Sequence, residues 1–330
     1  MQRRNFITLL GGLALSKLAW PLPASAQQSA PPAIGFLSST SPIGWENYLA
    51  AFRDGLRDHG FVEGKNVTIE YRWANGNYEQ LPALAAELVS LRVAVIVASG
   101  GARSAGAAKM ASSTLPIVFT GVPDPVERGL VASLNRPAGN LTGVSALTTE
   151  LLPKRLELLS ALVPRADVFA MLVNPNNPSR AGEVNAAHAA VATRGKSLIS
   201  MDASSESDFE AAFDTFVSYN CNALVVGVDP IFNSHRDTLI ALAGRHRIPT
   251  MYGWPEFPRA GGMASYGSDL ADQYRLSGIF VGRILRGEKP QDLPVMQPTK
   301  FSFVLNLKTM KALNIEAPAN VLALADEVIE

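Results

Sequence analysis

The chain has 330 residues, of which 47% are hydrophobic and 18% charged, so it is long enough for two packed domains and does not have the composition of a disordered protein. Lysine and arginine together number 29, as do aspartate and glutamate, so no overall field draws the chain to nucleic acid or to an anionic membrane. The single cysteine, Cys221, excludes an internal disulfide and any metal site built from several cysteines.

The first 26 residues have the pattern of an export signal. They combine a basic start, an apolar middle and the small residues Ala24-Ser25-Ala26. We therefore predict a signal peptide at residues 1–26 and export of the rest of the chain from the cytoplasm. Arg3-Arg4 fits the twin-arginine pattern, and a general secretory signal with two chance arginines is equally open. No later stretch has the ~18 uninterrupted apolar residues that a membrane span needs, so we predict that the mature protein does not span a membrane.

Short runs rich in valine and isoleucine alternate with longer segments whose apolar residues recur every three or four positions. This alternation is typical of β-α units around a mainly parallel sheet, so we predict an α/β fold. The first five predicted strands begin at Ala33, Asn66, Val93, Pro116 and Leu141, and the first of them, "AIGFLS", ends at Ser38. Five more begin at Val168, Lys196, Ala223, Ile248 and Gly261, and a last one begins at Lys300. The strand from Ala223, "ALVVGVD", is predicted to run to Asp229.

The two sets of five strands match in their order of elements, which indicates an internal duplication. The clearest pair of segments is "TLPIVFTGVPDP" from Thr114 and "RIPTMYGWPEF" from Arg247. We therefore predict an N-terminal lobe at residues 27–149 and a C-terminal lobe at residues 150–267. Residues 268–330 repeat nothing in the first half, so we expect them to cross back, complete the first lobe and pack on both. Crossings near 147–150 and 267–270 would form a hinge.

In an open parallel α/β sheet, ligands bind at the carboxyl ends of the strands, where helix N-termini and free backbone N–H groups converge. The loops at those ends are rich in polar, aromatic, glycine and proline residues, as a cleft between two lobes requires. The candidate ligand-binding residues in these loops are Ser38, Ser39, Trp45, Ser99, Gly100, Gly101, Ser104, Asp124, Asn174, Asp229, Tyr252 and Tyr266.

Several of these candidates have an ordinary structural explanation as well. The turn "SGGARS" with Ser99 and Ser104 suits a carboxylate at a helix N-terminus, and a simple helix cap with a tight turn explains it equally well. Asp229 could face an ammonium group, but taken alone it is better explained as the N-cap of the following helix. Asp124 has the same ambiguity.

The aromatic and amide candidates are also open to two interpretations. Trp45, Tyr252 and Trp254 lie in or beside loop ends, where flat side chains could sandwich an apolar or aromatic group. Tyr266 fits the same role or plain core packing. Asn174, in "NPNNPS", is a good turn former before it is a ligand contact.

A search for catalytic motifs finds none. The four histidines have no metal-type spacing, "GGMASYG" does not fit Gly-x-Ser-x-Gly, and "SGGARSAGAAK" has neither glycine spacing of a nucleotide-binding loop. We therefore predict no cofactor, no metal and no catalytic residue. A second hypothesis is an exported enzyme that uses Asp124 or Asp229 as a general acid or base, and a third is a ligand sensor that presents its closed form to a membrane receptor.

Several long segments resemble one family in both sequence and order. They include "AFRDGLRDHGFVEGKNVTIEYRWANG", "LPIVFTGVPDPVERGLVASLNRPAGNLTGVS" and "MASYGSDLADQYRLSGIFVGRILRGEKPQDLPV". Over nearly the whole mature chain, the sequence resembles the ABC transporter substrate-binding proteins of the tryptophan/tyrosine-uptake type. The resemblance implies a type I periplasmic-binding-protein fold: two Rossmann-like lobes with parallel sheets that close about a hinge. It also implies a protein of the periplasm that delivers a small molecule to an ABC permease and its ATPase. We expect the protein to be a monomer.

The resemblance further implies an aromatic amino acid whose carboxylate suits "SGGARS" and whose amine suits Asp229. One departure matters. Where the amino-acid binders tend to have His-Pro-x-x-Asp after the first strand, this chain has Ser41-Pro42-Ile43-Gly44-Trp45 and so lacks a histidine and an acid. An aromatic acid or another small carboxylate is therefore as open as an amino acid.

Overall fold

The computed structural model describes residues 31–330. The predicted signal peptide at residues 1–26 lies outside the described residues. Within them, the chain forms two sheets with helices packed against both, so the predicted α/β class is confirmed.

The first sheet has five strands, all parallel, in the order β2-β1-β3-β4-β5. These strands are β1 (Ala33–Ser38), β2 (Thr68–Trp73), β3 (Val95–Ser99), β4 (Ile117–Pro123) and β5 (Leu141–Ala146). The connecting helices are α1 (Glu46–Asp58), α2 (Leu81–Ser90) and α3 (Ala102–Ala111). All residues of β3 and β5 are buried, as expected for strands covered on both faces.

The second sheet has seven strands in the order β12-β11-β10-β9-β8-β6-β7. The strands are β6 (Val168–Val173), β7 (Ser197–Asp202), β8 (Ala223–Val226), β9 (Thr250–Tyr252), β10 (Ala264–Ser268), β11 (Phe301–Asn306) and β12 (Glu327–Ile329). Its helices are α4 (Leu152–Leu162), α5 (Arg180–Ala192), α6 (Glu206–Ser218), α7 (Pro230–Ser234), α8 (Arg236–Arg245) and α9 (Glu256–Arg259).

The order β7-β6-β8-β9-β10 in the second sheet repeats the order β2-β1-β3-β4-β5 in the first. The predicted duplication is thus confirmed in strand order. In the second sheet β11 adds antiparallel to β10, and β12 adds parallel to β11. These two strands have no counterpart in the first sheet.

The last part of the chain serves both sheets. Helix α10 (Leu270–Leu285) packs on α1 and on strands β3, β4 and β5 of the first sheet, whereas β11 and β12 extend the second. The remaining helices are α11 (Leu307–Ala312) and α12 (Ala319–Leu322). The chain therefore passes between the sheets after β5, after β10 and again between α10 and β11. The boundaries at residues 149 and 267 stay a prediction.

The third passage, which the sequence did not predict, runs alongside β5. The hydroxyl of Thr142 donates to the carbonyl of Leu293 over 2.7 Å, and the amide of Ser145 donates to the carbonyl of Met296 over 2.8 Å. Because these bonds tie the returning chain to the edge of the first sheet, only a short segment is left to bridge to β11.

The predicted strand from Ala223 to Asp229 was too long. Strand β8 ends at Val226, and Asp229 is the N-cap of helix α7 with Pro230 at the first helical position. Proline is favoured at this position because the N–H that it lacks would have no partner within the helix, and its fixed φ angle is that of a helix.

Candidate functional site

A cavity lies between the two lobes, where loops at the carboxyl ends of strands from both sheets meet. The space inside the cavity and its mouth amounts to about 840 Å³. Of the candidates named from the sequence, those that line the cavity are Trp45, Gly100, Gly101 and Asp229, together with Trp254.

The first lobe contributes the N-terminus of helix α3 to the cavity. Gly100 and Gly101 precede this helix with φ angles of 81° and 97°, and Gly101 is its N-cap with no side-chain cap bond. A Cβ at Gly100 would lie 2.2 Å from the Ser39 hydroxyl oxygen, so the turn has no room for a side chain. Ser104, also predicted from the sequence, does not line the cavity; its hydroxyl is fully buried and has no hydrogen-bond partner among the described residues. This end of α3 is suited to hold a carboxylate.

Three of the predicted serines lie behind this wall and do not line the cavity. The hydroxyl of Ser39 donates to the carbonyl of Gly100 over 2.8 Å, and the hydroxyl of Ser38 donates to that of Ser99 over 3.5 Å. Ser38, Ser39 and Ser99 are fully buried. Their visible role is to fix the glycine turn that carries α3.

Trp45 is held by a hydrogen-bond chain that the sequence did not reveal. Its indole N–H donates to the hydroxyl of Tyr274 over 2.6 Å, and that hydroxyl is hydrogen-bonded to Ser99. Burial raises the pKa of Tyr274 to about 12, so its hydroxyl stays protonated. These hydrogen bonds link α1, α10 and β3 at the cavity wall and fix the orientation of the indole ring.

The second lobe contributes Asp229, which both lines the cavity and caps helix α7. Its carboxylate accepts hydrogen bonds from the amide of Asn174 at 3.0 Å, the amide of Asn177 at 2.8 Å and the backbone N–H of Ile231 at 3.0 Å. Burial raises the pKa of the Asp229 carboxyl, and these bonds oppose the rise. The hydroxyl of Tyr78, from the first lobe, lies 3.4 Å and 3.5 Å from its two oxygens.

Two arginines of the first lobe also donate across the cleft. Arg103 reaches the carbonyl of Asn176 at 3.1 Å, and Arg128 reaches the hydroxyl of Ser179 at 2.8 Å. Together with Tyr78 and Asp229, these contacts join the lobes around the cavity. The structure therefore shows the lobes closed.

A buried arginine of the second lobe, Arg155 on α4, also lines the cavity. Its Nε donates to the carbonyl of Tyr266 over 2.7 Å and its Nη1 to the carbonyl of Thr148 over 3.4 Å. Burial lowers the pKa of Arg155 to about 10, which leaves it protonated at neutral pH. Gly253 and Gly267 lie beside its guanidinium; a Cβ added at either glycine would lie 3.6 Å from Nη2.

Glu183 on α5 is a buried acid close behind this wall. It is 4% exposed, and its Oε1 has no hydrogen-bond partner among the described residues; the same is true of the Thr148 hydroxyl. Burial raises the pKa of Glu183 to about 7, while the positive charge of Arg155 opposes the rise. A carboxyl group with a pKa near neutral therefore lies behind the cavity wall.

The other candidates lie away from the cavity lining. Asp124 follows β4 in a turn with a φ angle of 46°, and Asn174 lies beneath Asp229. The ring of Tyr252 is buried and stacks on Phe257 with centroids 4.2 Å apart. Tyr266 packs its ring edge against Phe303 and meets Arg155 only through its carbonyl.

Comparison with known proteins agrees with this geometry. The family model described as "ABC transporter substrate binding protein" matches residues 39–329. The chain belongs to this family. The fold is that of the type I periplasmic-binding proteins, so both the resemblance and the fold predicted from the sequence are confirmed.

Three similar proteins illustrate the relationship. A tyrosine-binding protein of Clostridioides difficile (strain R20291) is 27% identical over 265 residues, which are 80% of this chain and 76% of the relative. A conserved domain protein from Vibrio cholerae has a TM-score of 0.83 at 25% identity, covering 90% of this chain and 99% of its own. A domain from Streptococcus pneumonia in complex with L-Trp has a TM-score of 0.82 at 24% identity, covering 91% and 100%.

ABC transporter substrate-binding proteins bind small molecules and are generally extracellular or periplasmic. Among residues 31–330, no helix combines the length and apolar character that crossing a membrane requires. Within the same range, no three histidine, cysteine, aspartate or glutamate side chains come together as a metal site would need.

Sequence reasoning missed the cavity residues that helices or short turns contribute, namely Tyr78, Arg103, Arg155, Gln273 and Tyr274. One of them had a readable signal. Arg155 falls on the apolar face of α4 that also carries the buried residues Leu152, Leu156 and Leu159. Arginine is almost never fully buried unless it is paired, so its position on this face indicates a special role. Tyr274 gave no comparable signal, because an aromatic residue on a buried helix face is ordinary core.

Proposed function

We propose that this chain is the solute-binding component of an ABC importer. It encloses a small carboxylate-bearing ligand with an aromatic body, an aromatic amino acid or a related aromatic acid, in the cavity between its lobes. The observation that carries the proposal is the closed cavity itself. In it the uncapped N-terminus of α3 lies on the same lining as the indoles of Trp45 and Trp254.

The first-lobe wall supports a carboxylate. Gly100–Arg103 line the cavity at the positive end of the α3 dipole, and the buried hydroxyl of Ser104 has no partner among the described residues. Free backbone N–H groups at the positive end of a helix dipole recognise an anion.

The two tryptophans support an aromatic or flat apolar body. Trp45 is 2% and Trp254 9% exposed, and they come from opposite lobes. Closure of the lobes therefore brings both rings to one ligand, and burying flat apolar area is what gives such sites their affinity. The relatives point the same way, since one is a tyrosine-binding protein and another was solved with L-Trp.

The surroundings of Asp229 fit a ligand with an amine and a ligand without one. Its carboxylate already accepts three hydrogen bonds from its own lobe, at 3.0 Å or less. The contacts from Tyr78 are longer, at 3.4 Å and 3.5 Å, so a ligand ammonium group could replace them. A ligand without an amine would leave this arrangement undisturbed.

The rest of the proposal follows from the family. The chain is exported to the periplasm, performs no chemistry on its ligand, and hands it to a membrane permease driven by an ATPase. Lobe closure supplies the signal that the permease reads, because it changes the surface that both lobes present.

Thermal unfolding tests the ligand class directly. L-tyrosine, L-tryptophan and their amine-free counterparts 3-(4-hydroxyphenyl)propionate and 3-indolepropionate are added in turn, with tyramine and tryptamine as controls that lack the carboxylate. A ligand that binds only the folded protein raises the midpoint, by about 2.7 kcal/mol of added stability at 100 times its Kd. We expect at least one acid to raise it and neither amine to do so.

Absence of any shift with all four acids would reject this ligand class. A shift only with the amino acids would assign the ammonium group to Asp229, and a shift only with the amine-free acids would remove it. Uptake of the bound compound by cells with and without the gene then tests the importer role.

A further inference from the structure

Arg155 is a buried cation without an ionic partner. It is 3% exposed, and no carboxylate of the described residues lies within 4.0 Å of its guanidinium nitrogens. Its Nε and Nη1 donate to backbone carbonyls, whereas Nη2 has no hydrogen bond within residues 31–330 and is not fully enclosed by protein atoms. Burying a guanidinium is costly unless an anion compensates for it.

Two glycines whose own neighbours leave no space for a side chain lie beside Arg155. A Cβ at Gly267 would lie 1.9 Å from the carbonyl oxygen of Gly253, and a Cβ at Gly253 would lie 2.4 Å from a methyl group of Val228. Both positions must therefore be glycine, and the guanidinium lies against them. Its two carbonyl bonds, to Tyr266 and Thr148, hold it in one orientation. A guanidinium fixed in this way holds its remaining nitrogen, Nη2, in one position for a carboxylate.

The other charges around the cavity do not neutralise Arg155. Asp229 is already surrounded by its own hydrogen-bond donors. Glu183, the acid that most affects Arg155, makes no ion pair with it, and burial raises its pKa to about 7, which favours its uncharged form. The remaining charged groups that act on Glu183 are Asp229 and Arg128.

We propose that Arg155 binds the ligand's carboxylate directly through Nη2, as the anion-recognising residue of the second lobe, and that Glu183 adjusts the strength of that contact. Because the first lobe offers α3 and the second offers Arg155, closure brings two positive groups to the ligand. Ionised Glu183 weakens the contact by partly neutralising Arg155. The inference rests on the proposed function, since it needs a carboxylate ligand in this cavity.

Binding of acids and of their carboxamides to matched variants tests this inference. The probes are L-tryptophan, 3-indolepropionate and the two corresponding carboxamides, measured by calorimetry with the wild type, Arg155→Met and Lys154→Met. Lys154 precedes Arg155 on α4, is half-buried, pairs with Glu157 and does not line the cavity, so the control removes the same charge from outside the cavity. We expect Arg155→Met to weaken binding of the acids about 10- to 100-fold and to leave the carboxamides nearly unchanged. Lys154→Met should change neither.

Each other outcome has a definite meaning. Equal losses for acids and carboxamides would overturn the inference, because Arg155 would then only hold the wall in shape. Unchanged acid binding would also overturn it and would leave the proposed function standing. No acid binding to the wild type would instead reject the proposed ligand class. The unfolding midpoint of each ligand-free variant shows whether it is folded.

The pH dependence gives a second, independent readout. Acid binding to the wild type should strengthen as pH falls from 8 to 6, because protonation of Glu183 leaves the charge of Arg155 uncompensated. Glu183→Gln should bind the acids at pH 8 as tightly as the wild type does at pH 6, with no such slope. A slope that persists unchanged in Glu183→Gln would contradict the assigned role of Glu183.

Discussion

The backbone of Gly278 in helix α10 lies directly against the carbonyl oxygen of Phe52 in helix α1. A Cβ at Gly278 would be 2.1 Å from that oxygen, and a Cβ at Gly55 would be 2.0 Å from the carbonyl oxygen of Arg275. The two helices thus touch through a pair of glycines. Since α10 follows the second lobe in sequence yet packs on the first, this contact is a main anchor for the returning chain.

Gly278→Ala should destabilise the protein by about 2 kcal/mol or more, because the added methyl group must push two helix backbones apart. The matched control is Gly244→Ala in α8, where nothing lies within 4 Å of the built Cβ. That change should be neutral or stabilise by up to about 1 kcal/mol. Urea unfolding measures both. Equal effects of the two substitutions would show that the close contact is unimportant.

Gly100→Ala should reduce both stability and ligand binding. Its φ angle is 81° and its Cβ would lie 2.2 Å from the Ser39 hydroxyl oxygen, so the turn that presents α3 must shift. We expect a loss of about 1–3 kcal/mol in stability and at least tenfold in affinity. Gly129→Ala is the control for backbone strain alone, since its φ angle is 64° with open space around it. It should cost stability only; a comparable loss of affinity in that variant would argue against a local role for the Gly100 turn.

Glu183 should make stability depend on pH near neutrality. Its pKa is raised to about 7 in the folded protein, whereas a glutamate in the unfolded chain titrates near ~4.3. The neutral form is therefore favoured by folding, and the stability it contributes is complete below pH ~4.3 and is lost as pH rises through 7. Relative to the wild type, Glu183→Gln should gain up to about 3 kcal/mol between pH 5 and pH 8.5.

Urea unfolding at these two pH values, without ligand, measures that gain. The amide can cost stability at both pH values by making new unsatisfied contacts, so the change between them is the diagnostic quantity. Glu157→Gln, on the exposed face of α4, is the control and should show no comparable gain. A pH-independent difference between Glu183→Gln and the wild type would mean that Glu183 is already ionised at pH 5.

Much of the fold could be read from local sequence. Strand β1 was predicted at Ala33–Ser38 and lies there, and the match between segments at Thr114 and Arg247 anticipated the repeated strand order. Such features are local, because alternation, helical spacing and glycine or proline stops act within a few residues. Strand β12, at Glu327–Ile329, was missed because a three-residue edge strand has too little pattern to detect.

The cavity was harder to anticipate. Loop residues such as Gly100, Gly101 and Asp229 were identified because they follow predicted strands, and the end of a strand can be located from the sequence. Whether a neighbour such as Ser99 faces the ligand or supports the turn depends on side-chain direction, which alternates with every residue and cannot be read from composition. Asp229 shows that the two interpretations can coexist, since it is both a helix cap and a cavity residue.

The sequence by itself determined the family, the α/β class, the duplication and the strand ends that surround the cavity, because each depends on short-range pattern or on extended similarity. Only the tertiary structure decided that Arg155, Tyr78 and Tyr274 reach the same space and that Ser38 and Tyr252 do not. The reason is geometric. A helix residue's environment is set by how the whole helix is rotated and what packs against it, and for α10 that partner is α1, more than two hundred residues earlier in the chain.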